Sequence, residues 1–183
     1  MNIPFDNTHV TIETPRLLLR PFTEADLQYY FEYASIPGLG EMGGWAHHKT
    51  IAESEAGLQF YIQSKSAFAI YHKVDEKVIG EIGLWDSWTN KEEAYQHLKA
   101  KNISYALSKI YWGQGLMPEA AQALIEYGFT TLGLEAFGAE HFICNPQSGR
   151  VIEKCGFQFV RPGVFYSKEL DKHFDELRYV LLR

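Results

Sequence analysis

Cysteine is scarce in this 183-residue chain, with Cys144 and Cys155 as its only two. A disulfide framework therefore does not hold the fold together. No run of eighteen apolar residues occurs, which excludes a transmembrane helix and leaves no expected membrane partner. The stretch from Met1 to Arg20 lacks a basic segment followed by an apolar one, so no secretory signal is expected there. Basic residues are in deficit, 17 Lys and Arg against 23 Asp and Glu, for a net charge of −6. That balance gives no general footprint for nucleic acid, although a local cationic pocket for a small anion stays open. Repeats, low-complexity tracts and Pro/Ser-rich linkers are missing as well. These absences predict a cytoplasmic protein built as one domain over residues 1–183, a monomer or a homodimer.

What is present suits a packed core, with 46% hydrophobic and 22% charged residues. Arg16–Arg20 reads as a buried strand ended by Pro21. Thr23 with Glu24 and Asp26 reads as a helix start, because acidic side chains favour a helix N-terminus. Gly38, Gly40, Gly43 and Gly44 mark a flexible loop that carries Trp45, His47 and His48. Thr50 with Glu53 is a capping-box pair, opening a helix that buries Ile51, Leu58 and Ile62. Strands are predicted at Ala67–His72, Val78–Trp85, Asn102–Leu107, Phe137–Cys144, Phe157–Val160 and Asp175–Leu182. Trp88–Lys101 reads as a loop with a helical turn. Helices are predicted at Pro118–Thr131 and Ser148–Cys155, each followed by glycine. The strand–helix–strand crossover through Pro118–Thr131 makes Asn102–Leu107 and Phe137–Cys144 a parallel pair. The sheet is therefore mixed and the fold class α/β (α+β).

Two stretches carry chemistry. In Trp112-Gly113-Gln114-Gly115-Leu116-Met117-Pro118, two glycines follow a strand and stand before a helix. Glycine lets a ligand approach main-chain N–H groups, and the first N–H groups of a helix have no intrahelical partner. Together they suit a phosphate or pyrophosphate. Neither the P-loop nor the three-glycine dinucleotide pattern is matched. The second stretch runs from Asn145 to Phe157. Ser148 lies in the first turn of its helix, and Arg150 and Lys154, four apart, share one face. Taken alone, each stretch also fits a tight turn or a solvated, capped helix.

Together they resemble the GNAT acetyltransferase superfamily, in its RimJ/RimL-like branch. Thr14-Pro15-Arg16-Leu17-Leu18-Leu19-Arg20-Pro21, Ile79–Leu84, Trp112–Gly115 with Glu119-Ala120, and the Asn145-x-x-Ser148-x-Arg150-Val151-Ile152-Glu153-Lys154-x-Gly156-Phe157 pattern carry the resemblance over nearly the whole chain. It implies a central mixed sheet splayed between the fourth and fifth strands, with helices on both faces. It implies acetyl-CoA as the acetyl donor and a primary amine, small molecule or peptide, as acceptor. A coenzyme A-binding sensor without turnover is the alternative. By similarity, the pyrophosphate would sit on the N–H groups of Trp112, Gly113, Gln114, Gly115, Leu116 and Met117. The pantetheine arm would lie beside Tyr105, Ala106 and Leu107 like an added strand. Asn145 would reach a pantetheine amide, and Arg150 and Lys154 the cofactor phosphates. The Leu107 N–H is the candidate oxyanion donor and Ser148 the candidate acid for the leaving sulfur. Met117 and Pro118 depart from the residues usual in the superfamily.

An attacking amine must lose a proton, so a base is needed within about 3 Å or one water away. Glu140, His141 and Glu81 are candidates. Glu140 and His141 are adjacent on a strand and should face opposite sides. Trp45, His47, Trp85 and Tyr166, with His48, Trp88 and Phe165, are candidate walls of the acceptor site. That site is expected between the loops 36–49 and 161–175. Neither His47-His48 nor His141 with Cys144 has a structural zinc spacing, so no metal is expected.

Overall fold

The computed structural model describes Met1 and residues 3–183. Eight strands form one mixed sheet in the order β1-β2-β3-β4-β5-β6-β8-β7. They are β1 (Ile12–Glu13), β2 (Leu17–Pro21), β3 (Ala67–His72), β4 (Lys77–Asp86), β5 (Ala100–Leu107), β6 (Ala136–Phe142), β7 (Gln158–Ser167) and β8 (Lys172–Leu182). The helices are α1 (Leu27–Ala34), α2 (Ile51–Ser64), α3 (Leu116–Thr130) and α4 (Pro146–Lys154).

Alternation along the strands divides the core in two. On β3, Ala67 and Ala69 pack with Tyr30, Tyr33 and Leu58 of α1 and α2. Phe68 and Ile70, pointing the other way, pack with Leu116, Ala120 and Leu124 of α3 and Ile152 of α4. Helices therefore cover both faces. The small side chains on the first face leave depth for the tyrosines. On the second face, Phe137 fills space that only a glycine at 128 leaves free, since a Cβ there would stand 2.3 Å from its ring.

The feature that positions the site is the junction of β5 and β6. These strands run parallel but pair only where Ala100–Asn102 meet Ala136–Gly138. Beyond Asn102 the two strands part, as expected of the fourth and fifth strands; the two-residue β1 raises their number by one.

Several boundaries differ from expectation. β7 and β8 form a long hairpin, where a loop from Arg161 to Asp175 was expected. Its outer face carries Phe159, Val164 and Tyr166 exposed, so the strand lacks the apolar alternation that a half-buried strand shows. Helix α3 starts at Leu116 rather than Pro118, because Gly115 at φ +76° is its N-cap. Pro118 is thus the third helical residue, among the four whose N–H has no intrahelical partner, and its missing N–H breaks no helix bond. Helix α4 starts at Pro146 rather than Ser148, and β6 stops at Phe142. The Thr50–Glu53 capping box forms as expected.

Candidate active site

Two cavities flank the opening between β5 and β6. The first, of about 210 Å³, is walled by Tyr105, Ala106 and Leu107, the glycine loop, the start of α3, and Asn145, Ser148, Arg150 and Lys154 of the α4 region. The second, of about 240 Å³, opens on the α1/α2 face and holds Glu81, Asn102, Glu140 and Glu176 among aromatic side chains. Met42, Gly43, Trp45, Tyr105, Ala106, Asn145 and Ser148 line both, so the two meet at this point.

The hydrogen-bond phase of β5 decides what faces the opening. Ser108 N–H donates to the Ile79 carbonyl at 2.9 Å, with Leu107 opposite Gly80 and Tyr105 opposite Ile82. In an antiparallel ladder that phase turns the N–H and C=O of Tyr105 and Leu107 away from β4. They face the side where β6 has departed. Trp112 Nε1 donates to the Leu107 carbonyl at 2.7 Å, which leaves the Leu107 N–H directed at the cavity.

The glycine loop closes one end. Gly113 and Gly115 both sit at positive φ, +77° and +76°. A Cβ on Gly113 would meet nothing within 4 Å, and one on Gly115 only Arg16 Nη2 at 3.7 Å. Both glycines line the first cavity, next to the unpaired N–H groups at the start of α3. Gln114 points away, and its carbonyl accepts from Arg16 at 2.9 Å. Met117 is buried in the core with its side chain turned inward. Glu119 fastens the loop, an arrangement that sequence reasoning passed over. It accepts from Thr14 Oγ1 at 2.6 Å, Arg16 N–H at 3.0 Å and Arg16 Nε at 2.7 Å. Burial opposes its charge, but these bonds from Thr14 and Arg16 prevail and hold its carboxyl below the ordinary range.

At the junction, Asn145 is spent on structure. Its Oδ1 caps α4 by accepting from Ser148 N–H at 3.3 Å, and its Nδ2 donates to the Met42 carbonyl at 3.1 Å. One N–H and one oxygen lone pair of its amide are thus used within the fold, and Asn145 lines both cavities. Tyr105, expected only for its main chain, turns its hydroxyl to Ser148, 3.1 Å from Oγ and 3.1 Å from the carbonyl. Burial pushes that phenol well above its ordinary pKa, so it is a neutral hydrogen-bond partner.

In the second cavity, Glu140 and His141 face opposite sides of β6. His141 is buried against Gly149 of α4, with Nδ1 on the Phe142 carbonyl at 2.9 Å and Nε2 on the Tyr179 hydroxyl at 3.2 Å. Both ring nitrogens are engaged, which fits a core histidine rather than a base. Glu140 Oε1 accepts from Asn102 Nδ2 at 3.2 Å, and its buried Oε2 has no partner. Burial, with the Glu176 charge beside it, lifts the Glu140 carboxyl to about 7. Glu81 accepts from the hydroxyls of Tyr33 and, at 3.1 Å, Tyr61. Burial lifts its carboxyl to about 7 against the lowering effect of those two phenols.

Among the expected wall residues, Trp45, Trp85 and Phe165 line this cavity. His47 and Tyr166 do not. His47 pairs with Glu41 at 2.7 Å, and Tyr166 points outward from β7 to Asp171 at 2.5 Å. The alternation of β7 explains Tyr166, since Phe165 takes the inward place. His48 packs on Tyr30 and Trp45 and bonds Ser54 at 2.7 Å. Trp88 stacks near Arg161 and Arg178, outside the lining.

A glycine-lined hollow at one end of a split sheet is joined to a carboxylate-lined cavity on the other face. The chain belongs to the GNAT acetyltransferase family: the family model described as Acetyltransferase (GNAT) domain matches residues 16–158. It is 29% identical over 152 residues to an uncharacterized N-acetyltransferase, YoaA, of Bacillus subtilis (strain 168), covering 80% of this chain and 82% of that one. A GNAT-family acetyltransferase structure from Bacillus anthracis superposes with a TM-score of 0.79 at 22% identity, covering 94% of this chain and 98% of that one. The spermidine N-acetyltransferase of Vibrio cholerae, solved with CoA and spermine, gives a TM-score of 0.72 at 17% identity over 92% and 96%.

Proposed function

We propose that this chain transfers the acetyl group of acetyl-CoA to a primary amine by direct attack in a ternary complex. The observation that carries the reading is the unpaired edge of β5, which joins the glycine hollow to the carboxylate cavity through one shared wall. The hollow suits a pyrophosphate: Gly113, Gly115, Leu116 and Met117 line it at the start of α3, and Arg150 and Lys154 in the same lining supply positive charge. The exposed N–H and C=O of Tyr105 and the N–H of Leu107 suit an amide-bearing arm laid alongside as an extra strand. Bound acetyl-CoA supplies an activated thioester at the junction.

The chain's own residues supply the rest. Glu140 has a free buried oxygen and a carboxyl poised near neutrality, so it accepts the proton of the incoming ammonium, directly or through one water. Leu107 N–H donates to the oxygen that gains charge when the carbonyl is attacked. Ser148 Oγ, oriented by the Tyr105 hydroxyl, donates to the departing sulfur. Asn145 acts indirectly, capping α4 and tying down Met42 over the junction. His141 has no part in this scheme.

The test is a steady-state assay of free CoA release with acetyl-CoA and a panel of amines. Amine-dependent release together with an acetylated product of the expected mass supports the reading. Tight binding of acetyl-CoA with no transfer to any amine overturns it and leaves a binding module.

A further inference from the structure

Attack on a thioester by an amine consumes one base, yet the second cavity presents three carboxylates, Glu81, Glu140 and Glu176. All three lie on one face of the sheet. Glu81 shares its face of β4 with Trp85, opposite Ala106 and Asn102 of β5. Asn102 pairs with Gly138 on β6, two residues from Glu140, and Phe142 pairs with Glu176 of β8. Glu176 is neutralised by Arg178 Nε at 2.7 Å. Glu140 serves as the base in the reading above. Glu81 remains. It is 6% exposed, receives only two neutral phenols, and among the described residues has no ion pair.

An independent observation points to what the cavity takes. Glu140 lines the cavity, and its buried Oε2 has no partner. The cavity thus presents an unfilled acceptor at Glu140 and an unmatched carboxylate at Glu81. A ligand that satisfies it brings several donors and positive charge, and an ammonium group has three donors and no acceptor. Trp45, Trp85 and Phe165 add aromatic surface that also attracts a cation.

The geometry points to an acceptor with two positive charges, an aliphatic α,ω-diamine or longer polyamine, whose reacting amine lies at Glu140 and whose distal ammonium lies at Glu81. The two carboxylates rise from strands two places apart, so their backbones are separated by roughly 10 Å at the paired end and more where the sheet opens. That span calls for a chain of several methylenes between the nitrogens. A neutral peptide N-terminus brings one ammonium and a carbonyl acceptor, and leaves Glu81 unmatched. The assignment of ends rests on the reading of Glu140 as base.

The test compares n-butylamine, 1,4-diaminobutane, 1,8-diaminooctane and a neutral tripeptide, by kcat/KM and by calorimetric titration into the full chain saturated with CoA. CoA carries no acetyl group, so the titration reads binding alone. The expected result is at least a tenfold preference for a diamine over butylamine in both measurements. Glu81→Gln is expected to bring that ratio to within about twofold. Equal values for butylamine and both diamines in the unaltered protein overturn the inference and leave the proposed function standing, as does a preference for the tripeptide. Selective diamine binding without acetyl transfer supports the two-cation site and removes the catalytic reading. The unaltered protein decides the matter even if Glu81→Gln does not fold, and Tyr61→Phe, which removes one donor to Glu81, is expected to alter the ratio by a smaller factor.

Discussion

Gly115 and Gly133 make a matched pair that separates strain from ligand contact. Both adopt left-handed backbone, at φ +76° and +65°. A Cβ at Gly133 would meet nothing within 4 Å, and a Cβ at Gly115 only Arg16 Nη2 at 3.7 Å. Alanine at either position therefore costs the left-handed penalty of roughly 1–2 kcal/mol and little more. For a chain of this length about 2–4 °C in Tm accompanies each kcal/mol, so each variant should melt about 2–8 °C lower without ligand. Acetyl-CoA at about a hundred times its Kd adds roughly 2.7 kcal/mol to the native state, a rise of about 5–11 °C. At Gly133 that rise should persist in full. At Gly115, on the proposed placement of the coenzyme, the new methyl would stand where main-chain N–H groups meet the phosphates, and most of the rise should vanish. Thermal melts of both variants with and without acetyl-CoA make the comparison. A Gly115→Ala protein that keeps the whole ligand-induced rise, or a Gly133→Ala protein that loses it, would refute the assignment of the loop as the phosphate cradle.

Three further outcomes follow from the geometry. Glu140→Gln should lower kcat by about 10²- to 10⁴-fold and remove the acid-side inflection near pH 7 from the rate profile; a retained inflection would place the base elsewhere. The raised carboxyls of Glu81 and Glu140 also set a sign for unliganded stability. Their contribution is complete below the unfolded value near 4.5 and is lost as pH rises through about 7, so melts at pH 5 and 8 should differ less in Glu140→Gln than in the unaltered chain. Tyr105→Phe should leave acetyl-CoA affinity near its original value while reducing kcat, because it frees Ser148 Oγ from its orienting partner; an unchanged kcat would remove the relay. Gly128→Ala should destabilise the fold by about 1–3 kcal/mol in chemical denaturation, since its Cβ would lie 2.3 Å from Phe137; a neutral effect would show that the ring can move.

The glycine-loop end of the candidate site was legible in the sequence because it is local. Two glycines and a helix start within ten residues define the hollow, and Asn145, Ser148, Arg150 and Lys154 lie on one short element. The further bonds of Asn145 to Met42 and Ser148 within the fold had no signal in the sequence. The acceptor end was only partly legible, because β4, β5, β6, β7 and β8 all contribute to it. Glu81 was one candidate base among three, but Tyr33 and Tyr61 reach it from helices far away in sequence. Asn102 and Glu176 carry no local signal at all. His47 and Tyr166 lie outside the second cavity, because proximity in sequence to a loop says nothing about side-chain direction. Strand alternation settles Tyr166, while a carboxylate at Glu41 holds His47. Both strands of the β7–β8 hairpin were expected but too short, since one face of β7 is exposed and Pro162 and Gly163 interrupt it.

A crystal structure of the chain with CoA tests the central claim most directly. The account predicts one CoA per chain, with its pyrophosphate on the N–H groups of residues 113–117, its arm paired to Tyr105 and Leu107, and its sulfur within reach of Ser148. Coenzyme bound elsewhere, or an empty cleft in crystals grown at saturating CoA, would contradict it.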